Sequence, residues 1–405
     1  MISTKAGQPA SILAVDDTPA NLQVLAGMLK ERGYKVRPVP SGRLALLAAE
    51  RDPPDLILLD INMPELNGYE VCERLKADDR LRGVPVIFIS ALTEQLDKVR
   101  AFAIGGVDYI TKPFQIEELH ARVETHLKLR RLQVELEEAN AQLAKANGRM
   151  SRDLLAAAKI QETFLPREAP RVPGADFAWI YRPCDELAGD GLNVIPLGDG
   201  RVGLYILDVS GHGVASALLS VTMSRLLSPP TEPSSILVRG KSPDGRCEIA
   251  PPAEVADHLN RLFPFDSATE QFATLLYGIL NPASGEFRYV SAGHPGPIHL
   301  PRGADPVMLE SHGFPIGVGD DAYQERAVRL GAGDRLYLYS DGVSEARDPA
   351  GEQFGDARLL QAIASLRSEP LQQGVDNLLA EIERWHATEK PQDDISILAA
   401  EVSVV

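Results

Sequence analysis

The chain has 405 residues, 44% of them apolar and 24% charged, which suits packed globular cores but exceeds one ordinary core, so two domains and a connector are expected. A formal net charge of −16 disfavours non-specific attraction to nucleic-acid or anionic-lipid phosphates, and neither nucleic acid nor membrane is expected as a partner. Cys72, Cys184 and Cys247 are scattered with no C-x-x-C pair, which excludes a disulfide framework and a thiolate zinc site; with no signal-like N-terminus and no apolar run near the roughly 18 residues of a membrane span, a cytoplasmic protein is expected.

From Ser11 to about Ile110 the apolar runs SILAV, YKVRPV, DLILLD, PVIFIS and GVDYI alternate with stretches of helical spacing. Strands alternating with helices imply a doubly wound parallel sheet, in which ligands bind beyond the carboxyl ends of the strands. The residues that finish those strands are Asp16 and Asp17, Asp60, Ser90 and, just past the fifth, Lys112. Three converging carboxylates with no basic pair beside them need a cation, and magnesium, a hard dication that leaves room for phosphate oxygens, suits phosphoryl transfer onto a carboxylate. In that arrangement Lys112 neutralises the phosphoryl group and Ser90 offers it a hydroxyl.

ILAVDD, LILLDINMPELNGYEVC, VIFISA and DYITKPF together resemble a response-regulator receiver domain of flavodoxin-like α/β fold, with a five-stranded parallel sheet over residues 10–122. The resemblance implies that Asp60 is the phosphoacceptor and that Asp16, Asp17, Asp60 and the Asn62 carbonyl hold Mg2+. It further implies that Ser90, Tyr109 and Lys112 are the switch positions and that a sensor histidine kinase is the phosphodonor.

From about Gln115 to Leu165 the chain reads as long helix, and residues 123–165 form the connector. Leu129, Leu132, Leu136, Ala139, Leu143, Ala146 and Met150 alternate spacings of three and four, a heptad seam that predicts a short parallel coiled coil and hence a homodimer. The competing reading packs this stripe on the chain's own domains. Asp153 breaks the seam, and a change of helix direction or partner is expected there.

Pro166, Pro170 and Pro173 open a second domain, 166–405, with the strand-like runs FAWIYRP, GLNVIPL, RVGLYILDVS, FATLLYGIL, EFRYVSA, DRLYLYS and ISILAAEVSV, and helices near 214–227, 252–263, 356–366 and 370–388. This pattern predicts an α+β domain with two packed sheets flanked by helices. The Pro-, Ser- and Gly-rich segment Ser228–Pro252 reads as a mobile loop or lid. Four acidic motifs lie at or beside strand ends: AGD (Asp190), DVSGHG (Asp208), SDG (Asp341) and DDIS (Asp393, Asp394). Singly, each Asp-Gly pair reads as turn chemistry. Brought together they would demand divalent cations, two of which could ionise a water and clamp a phosphate monoester for in-line attack.

AGDGLNVIPL, LYILDVSGHGVASALLS, YVSAGHPGPIHL, LYLYSDGVSEAR and DDISIL occur in the order of the metal-dependent PPM, type 2C-like, protein phosphatases, in the branch of stage II sporulation protein E and the sigma-factor regulatory phosphatases. The resemblance spans about 177 to 403 and implies a β-sandwich that hydrolyses phosphoserine or phosphothreonine with two Mn2+ or Mg2+ ions. It implies that Asp190 and Asp208 bridge the metals, that the Val209 carbonyl completes one shell, and that Asp341 and Asp393 hold the second metal, with Asp394 the lesser member of its pair. Asn193 stands where many members carry an acid. His212 and His294 are candidate proton donors as well as candidate structural histidines, and Arg182 is a phosphate-binding candidate by proximity alone. The implied substrate is a phosphorylated anti-anti-sigma protein of the STAS type in a partner-switching pathway. The rival reading is a non-catalytic adaptor that keeps the fold as a phosphorylation-gated binding surface; a cyclase or DNA-binding output finds no matching residues.

Overall fold

The computed structural model describes residues 9–91, 98–241, 247–265, 270–319, 321–387 and 391–403. The chain separates into two compact units, Met1–Asn147 and Gly148–Val405.

In the first unit β1 (Ser11–Val15), α1 (Pro19–Glu31), β2 (Lys35–Val39), α2 (Gly42–Arg51), β3 (Leu56–Asp60), α3 (Gly68–Ala77), β4 (Val86–Ala91), α4 (Lys98–Ala103) and β5 (Asp108–Lys112) alternate as expected. The strands pair in parallel in the order β2-β1-β3-β4-β5. Every residue of the central β3 is buried, as a strand covered on both faces requires. Successive side chains go to opposite faces, so Ile12 and Leu58 meet α1 through Leu25 and Leu29, while Leu13, Ile57 and Leu59 meet Ala45, Val71 and Leu75 of α2 and α3. A capping box between Asn67 and Glu70 fixes the start of α3 immediately after the loop that follows Asp60.

Helix α5 (Ile116–Gln161) runs unbroken for 46 residues. Its first turns bury Leu119, Val123 and Leu127 against the parallel sheet. Beyond them the seam residues Leu129, Leu132, Leu136, Leu143 and Met150 are each more than half exposed. The anticipated break at Asp153 does not occur. The seam fails there, yet the segment around it (Leu154, Leu155, Ala156, Ala157, Ala158, Lys159) consists of strong helix formers, so the helix continues. A short 3-10 turn, Glu162–Phe164, then ends the helix before Pro166.

The second unit contains β6 (Ala175–Arg182), β7 (Gly191–Gly198), β8 (Arg201–Val209), α6 (Val214–Leu226), β9 (Val238–Lys241), β10 (Cys247–Ile249), α7 (Pro252–Leu262), β11 (Ala273–Asn281), β12 (Glu286–Ala292), β13 (Ile298–Leu300), β14 (Val307–Met308), β15 (Arg326–Arg329), β16 (Arg335–Tyr339), α8 (Asp341–Ser344), α9 (Gly355–Ser365), α10 (Leu371–His386) and β17 (Ile395–Val402). Two antiparallel five-stranded sheets form, ordered β15-β12-β11-β8-β7 and β14-β13-β16-β17-β6. Their inner faces share one core in which Leu204, Ile206, Leu276 and Phe287 meet Phe177, Leu336, Leu338 and Leu398. The outer faces are covered by helices: α6 and α7 bring Met223, Val255 and Leu259 onto one sheet, and α9 and α10 bring Leu359, Leu378 and Ile382 onto the other. The sandwich flanked by helices is therefore present as the strand runs suggested.

One expectation is corrected. The segment Ser228–Pro252 is not a free loop over its described part, because β9 and β10 pair as an antiparallel ribbon anchored by Leu237 and Ala250, both buried in the core. Two apolar anchors were enough to seat a segment whose Pro, Ser and Gly content suggested a lid; its residues 242–246 lie outside the described ones.

Candidate functional site

In the first unit the parallel strands deliver their terminal residues to one end of the sheet. The carboxylate oxygens of Asp16, Asp17 and Asp60 lie within 4.8 Å of one another. Asp16 is fully buried and held in place: its Oδ1 accepts from the Thr18 backbone N–H at 2.9 Å, and both its oxygens accept from the Asn21 amide at 3.0 and 3.1 Å. Contrary to expectation the acids do have a basic partner. Lys112 Nζ lies 2.8 Å from Asp16 Oδ2 and 3.1 Å from Asp60 Oδ1, bridging the two carboxylates. Burial pushes the Asp60 carboxyl up to about 6, the Lys112 ammonium offsets part of that rise, and Asp16 and Asp17 add to it. Ser90 is buried on β4 opposite Thr111 of β5, Tyr109 is half-buried with the Arg122 guanidinium 5.8 Å from its ring centre, and Asn62 is exposed just past Asp60.

In the second unit the four acidic motifs converge although some 200 residues separate the first from the last. Asp208 ends β8 and Asp190 immediately precedes β7, whose Gly191 pairs with Leu207. Asp341 opens α8 directly after β16, and Asp393 and Asp394 precede β17, which pairs with β16. Asp190 is buried, and its Oδ2 has no hydrogen-bond donor. Burial first, then the charges of Asp208 and Asp394, hold its carboxyl well above the usual range, while the Ser396 and Ser340 hydroxyls soften the effect. The Asp208 carboxyl is pushed up to about 7 by burial and by Asp341, Asp393 and Asp394. Asp341 and Asp393 are raised too, by burial first; the charge of Asp393 comes next at Asp341, and at Asp393 the Asp394 N–H partly offsets the rise. Among the described residues no Lys or Arg lies within ion-pair distance of any of these four acids. A buried carboxylate oxygen without a donor, beside acids that raise one another, is a donor set that divalent cations satisfy, so the residues present fit such ions.

Asp394 has a different task. Its Oδ1 accepts from the Cys184 N–H at 2.8 Å, and its Oδ2 from the N–H groups of Gly189 at 2.7 Å and Asp190 at 3.4 Å. It fastens the Asp190 loop to the start of β17. Cys184 also sits beside this pair, its Sγ within 4.8 Å of the Asp393 and Asp394 oxygens, with a thiol pushed up to about 12 by burial and Asp394. Gly189 lets the loop approach Val209: a Cβ there would stand 2.7 Å from the Val209 carbonyl oxygen. At Gly342 a Cβ would fall 2.1 Å from the Asp394 carbonyl oxygen, so only glycine seats Asp341 against the DDIS turn.

The two histidines part company. His294 is buried, its Nδ1 lies 2.7 Å from Thr274 Oγ1 and its Nε2 3.0 Å from the Tyr339 carbonyl, and burial lowers it to about 4. Both ring nitrogens are used and the ring is neutral, so it is a structural histidine. His212 is exposed, with Nδ1 4.0 Å from Asp185, and its charge reaches Asp393. Arg182 points its Nε toward Glu383 at 3.7 Å. Asn193 donates to the Phe164 carbonyl at 2.9 Å and accepts from the Val194 N–H at 2.8 Å, which places it on the 3-10 turn after α5 rather than at the acids. Gln161, which sequence reasoning passed over, also reaches this loop: its amide donates to the Ala188 carbonyl at 2.7 Å and accepts from the Ala188 N–H at 3.2 Å.

Comparison with known proteins gives a family-model match to stage II sporulation protein E over residues 198–403, just over half of the chain, and to the response regulator receiver domain over 12–124. Among curated proteins, the DNA-binding dual master transcriptional regulator RpaA of Synechocystis is 39% identical over 117 residues, covering 29% of this chain and 48% of that protein. The response regulator PleD of Caulobacter vibrioides is 39% identical over 132 residues, covering 33% of this chain and 29% of that one. The chain thus spans half or less of the length of these relatives. Among solved structures, the SiaA-PP2C domain of Pseudomonas aeruginosa superposes with a TM-score of 0.53 at 19% identity, covering 64% of this chain and all of that one, a likeness of fold. The RsbU and RsbW domains of a Mycobacterium tuberculosis protein give a TM-score of 0.47 at 28% identity over 58% of this chain and 61% of that one.

Proposed function

Because the chain belongs to the stage II sporulation protein E family and carries a response-regulator receiver domain, we propose that phosphorylation of Asp60 controls a metal-dependent protein serine/threonine phosphatase built on Asp190, Asp208, Asp341 and Asp393. The observation that carries this reading is the buried, donorless Oδ2 of Asp190 beside an Asp208 whose carboxyl sits at about 7. Divalent cations, Mn2+ or Mg2+, held by Asp190, Asp208, Asp341, Asp393 and the Val209 carbonyl would activate a water and neutralise the phosphoryl oxygens. The chain's own contribution is geometric: Asp394 fixes the Asp190 loop, Gly342 admits Asp341, and neutral His294 joins Thr274, which pairs with Asp208, to the end of β16. With His294 neutral and occupied, protonation of the leaving serine or threonine oxygen falls to water or to exposed His212.

In the receiver, Asp16, Asp17, Asp60 and the Asn62 carbonyl would hold one Mg2+, and Lys112 would pair with the phosphoryl group delivered by a histidine kinase. The exposed seam of α5 supports pairing with a second copy of the chain, since none of its leucines is covered. A phosphorylated STAS-type protein is the substrate that the family resemblance favours.

The test is hydrolysis of para-nitrophenyl phosphate by the full chain with manganese, beside Asp208→Asn and Asp341→Asn and with or without a small-molecule phosphodonor. Metal-dependent turnover lost in both variants and altered by the donor is the expected result. A folded protein inactive under every condition would leave the adaptor.

A further inference from the structure

Between α8 and α9 the chain makes a tight hairpin in which Arg347 bridges to Gln353. Asp348 closes it: its backbone N–H donates to the Glu352 carbonyl at 3.0 Å, its carbonyl accepts from the Gly351 N–H at 2.9 Å, and its Oδ1 accepts from the N–H groups of Ala350 and Glu352 at 2.9 and 2.8 Å. Gly351, at φ +87°, gives the turn a conformation that a side chain resists. The returning strand is tied to the helices behind it. Trp385 Nε1 of α10 donates to the Glu352 carbonyl at 3.3 Å, and Arg358 of α9 donates to the Gln353 and Phe354 carbonyls at 3.1 and 3.2 Å. Phe354 is buried in the core beneath. The hairpin is therefore a rigid mount, and its first strand carries Arg347.

Arg347 lines a cavity of about 120 Å³ that it shares with Gly342, Glu345, Gln392 and the proposed ligand Asp393. That is about four water molecules' share of liquid volume, room for the end of one side chain. The guanidinium is exposed, and its Nη1 donates to the Gly351 carbonyl at 3.0 Å, which orients it. Among the described residues Nε and Nη2 have no partner, and no ion pair joins Arg347 to Glu345 or Asp393 although all three line one cavity. A planar fork held in place with donors to spare matches a carboxylate. The net charge of −16 repels acidic segments at long range, and this fixed arginine beside the acids is a local exception to that field.

We infer that Arg347 is a specificity-determining residue of the phosphatase site: in the cavity beside Asp393 it receives a carboxylate of the protein substrate next to the phosphorylated serine or threonine. The inference rests on the phosphatase reading and names which phosphorylated segments that site favours, those with an acidic neighbour. The phosphoryl group itself is met by the cations on the four aspartates, so the effect of Arg347 is read in the discrimination between substrates.

The experiment uses the full chain with manganese and three phosphoserine peptides, identical except that glutamate, glutamine or lysine flanks the phosphoserine on both sides. The readout is kcat/KM for each peptide or, where turnover is slow, its Ki against para-nitrophenyl phosphate hydrolysis. Arg347→Gln removes the charge and Arg347→Glu reverses it. Arg329→Gln is the matched control, an exposed arginine on the edge strand of the other sheet whose Nε donates to the Ser284 carbonyl at 3.3 Å. Expected is a roughly 5-fold preference for glutamate over glutamine flanks in the wild type and in Arg329→Gln, lost in Arg347→Gln and turned toward lysine in Arg347→Glu. An active wild type indifferent to the flanks, an unchanged preference in Arg347→Glu, or an equal loss in Arg329→Gln overturns the inference. A uniform loss in the Arg347 variants on all three peptides and on para-nitrophenyl phosphate, with weaker inhibition by inorganic phosphate, would assign the arginine to the phosphoryl group and overturn it as well. A wild type with no manganese-dependent turnover of any substrate would overturn the phosphatase reading itself, so the two failures are distinct.

Discussion

The two acidic clusters solve the same problem by different means. In the receiver a lysine ammonium lies between Asp16 and Asp60, and the Asp60 carboxyl rises only to about 6. In the phosphatase domain no Lys or Arg pairs with Asp190, Asp208, Asp341 or Asp393 among the described residues, Asp208 rises to about 7, and one oxygen of Asp190 is buried without a donor. On the proposed reading, a resident counter-charge leaves a site that can exist without its ion, whereas a site of acids alone would have its stability tied to the cations it binds.

If that contrast is right, the largest effect belongs to the metal ligands. Asp208→Asn should lower metal-dependent hydrolysis by on the order of 10²-fold or more, measured as kcat/KM, while leaving phosphorylation of the receiver by a small-molecule donor intact. Manganese at about 100 times its Kd should stabilise the phosphatase unit by about 2.7 kcal/mol, a rise of roughly 5–10 °C in its melting transition. Magnesium added to an isolated Asp208→Asn background should still be felt by the receiver.

The pH dependence sharpens the comparison further. A carboxyl raised in the folded state contributes stability that is present below its ordinary value and is lost as pH rises through the folded value. For Asp208 that window runs from the ordinary 3.8 to about 7. Chelated protein should therefore lose stability across it, and the manganese-induced rise in melting temperature should be larger at about pH 8 than at about pH 6. Equal rises at both pH values would break the assignment of Asp208 as a ligand.

Smaller effects are expected in the receiver. Lys112→Met leaves buried Asp16 and Asp60 facing each other, but Lys112 is partly solvated, so a cost of about 1–2 kcal/mol is expected in denaturant unfolding at neutral pH, partly recovered by magnesium. The smallest change is at the seam: Leu136→Asp should weaken self-association in sedimentation while altering the stability of either unit by less than about 0.5 kcal/mol, because Leu136 is 62% exposed. A dimer unaffected by this change would remove the coiled-coil reading.

Much of this was legible in the sequence because the decisive signals are contiguous. A fully apolar LILLD ending in aspartate announces a central parallel strand with a functional terminus, and AGD, DVSGHG, SDG and DDIS each join a strand end to an acid. The order of strands within the two sheets was not legible, since β13, β14 and β15 are too short to show a period of their own. Nor was the division of labour between Asp393 and Asp394 more than a leaning, for it depends on which carboxylate meets three N–H groups more than 200 residues away. Gln161 escaped notice for the same reason: a side chain that serves the backbone 27 residues on leaves no pattern. Lys112 was recognised by its motif, yet its place between two aspartates follows from strand pairing, which no local reading contains.

The carboxylate of Asp394 has a consequence for how this domain comes into being on the ribosome. Asp190, Asp208 and Asp341 all leave the exit tunnel before it, and the N–H groups of Gly189 and Asp190 gain their anchor only when the segment leading into β17 has been made and has closed the sheet between β16 and β6. A nascent chain that stops before Asp393 would hold Asp190, Asp208 and Asp341 in an unlatched pocket. The acidic pocket is thus assembled only after the segment leading into β17 has been made.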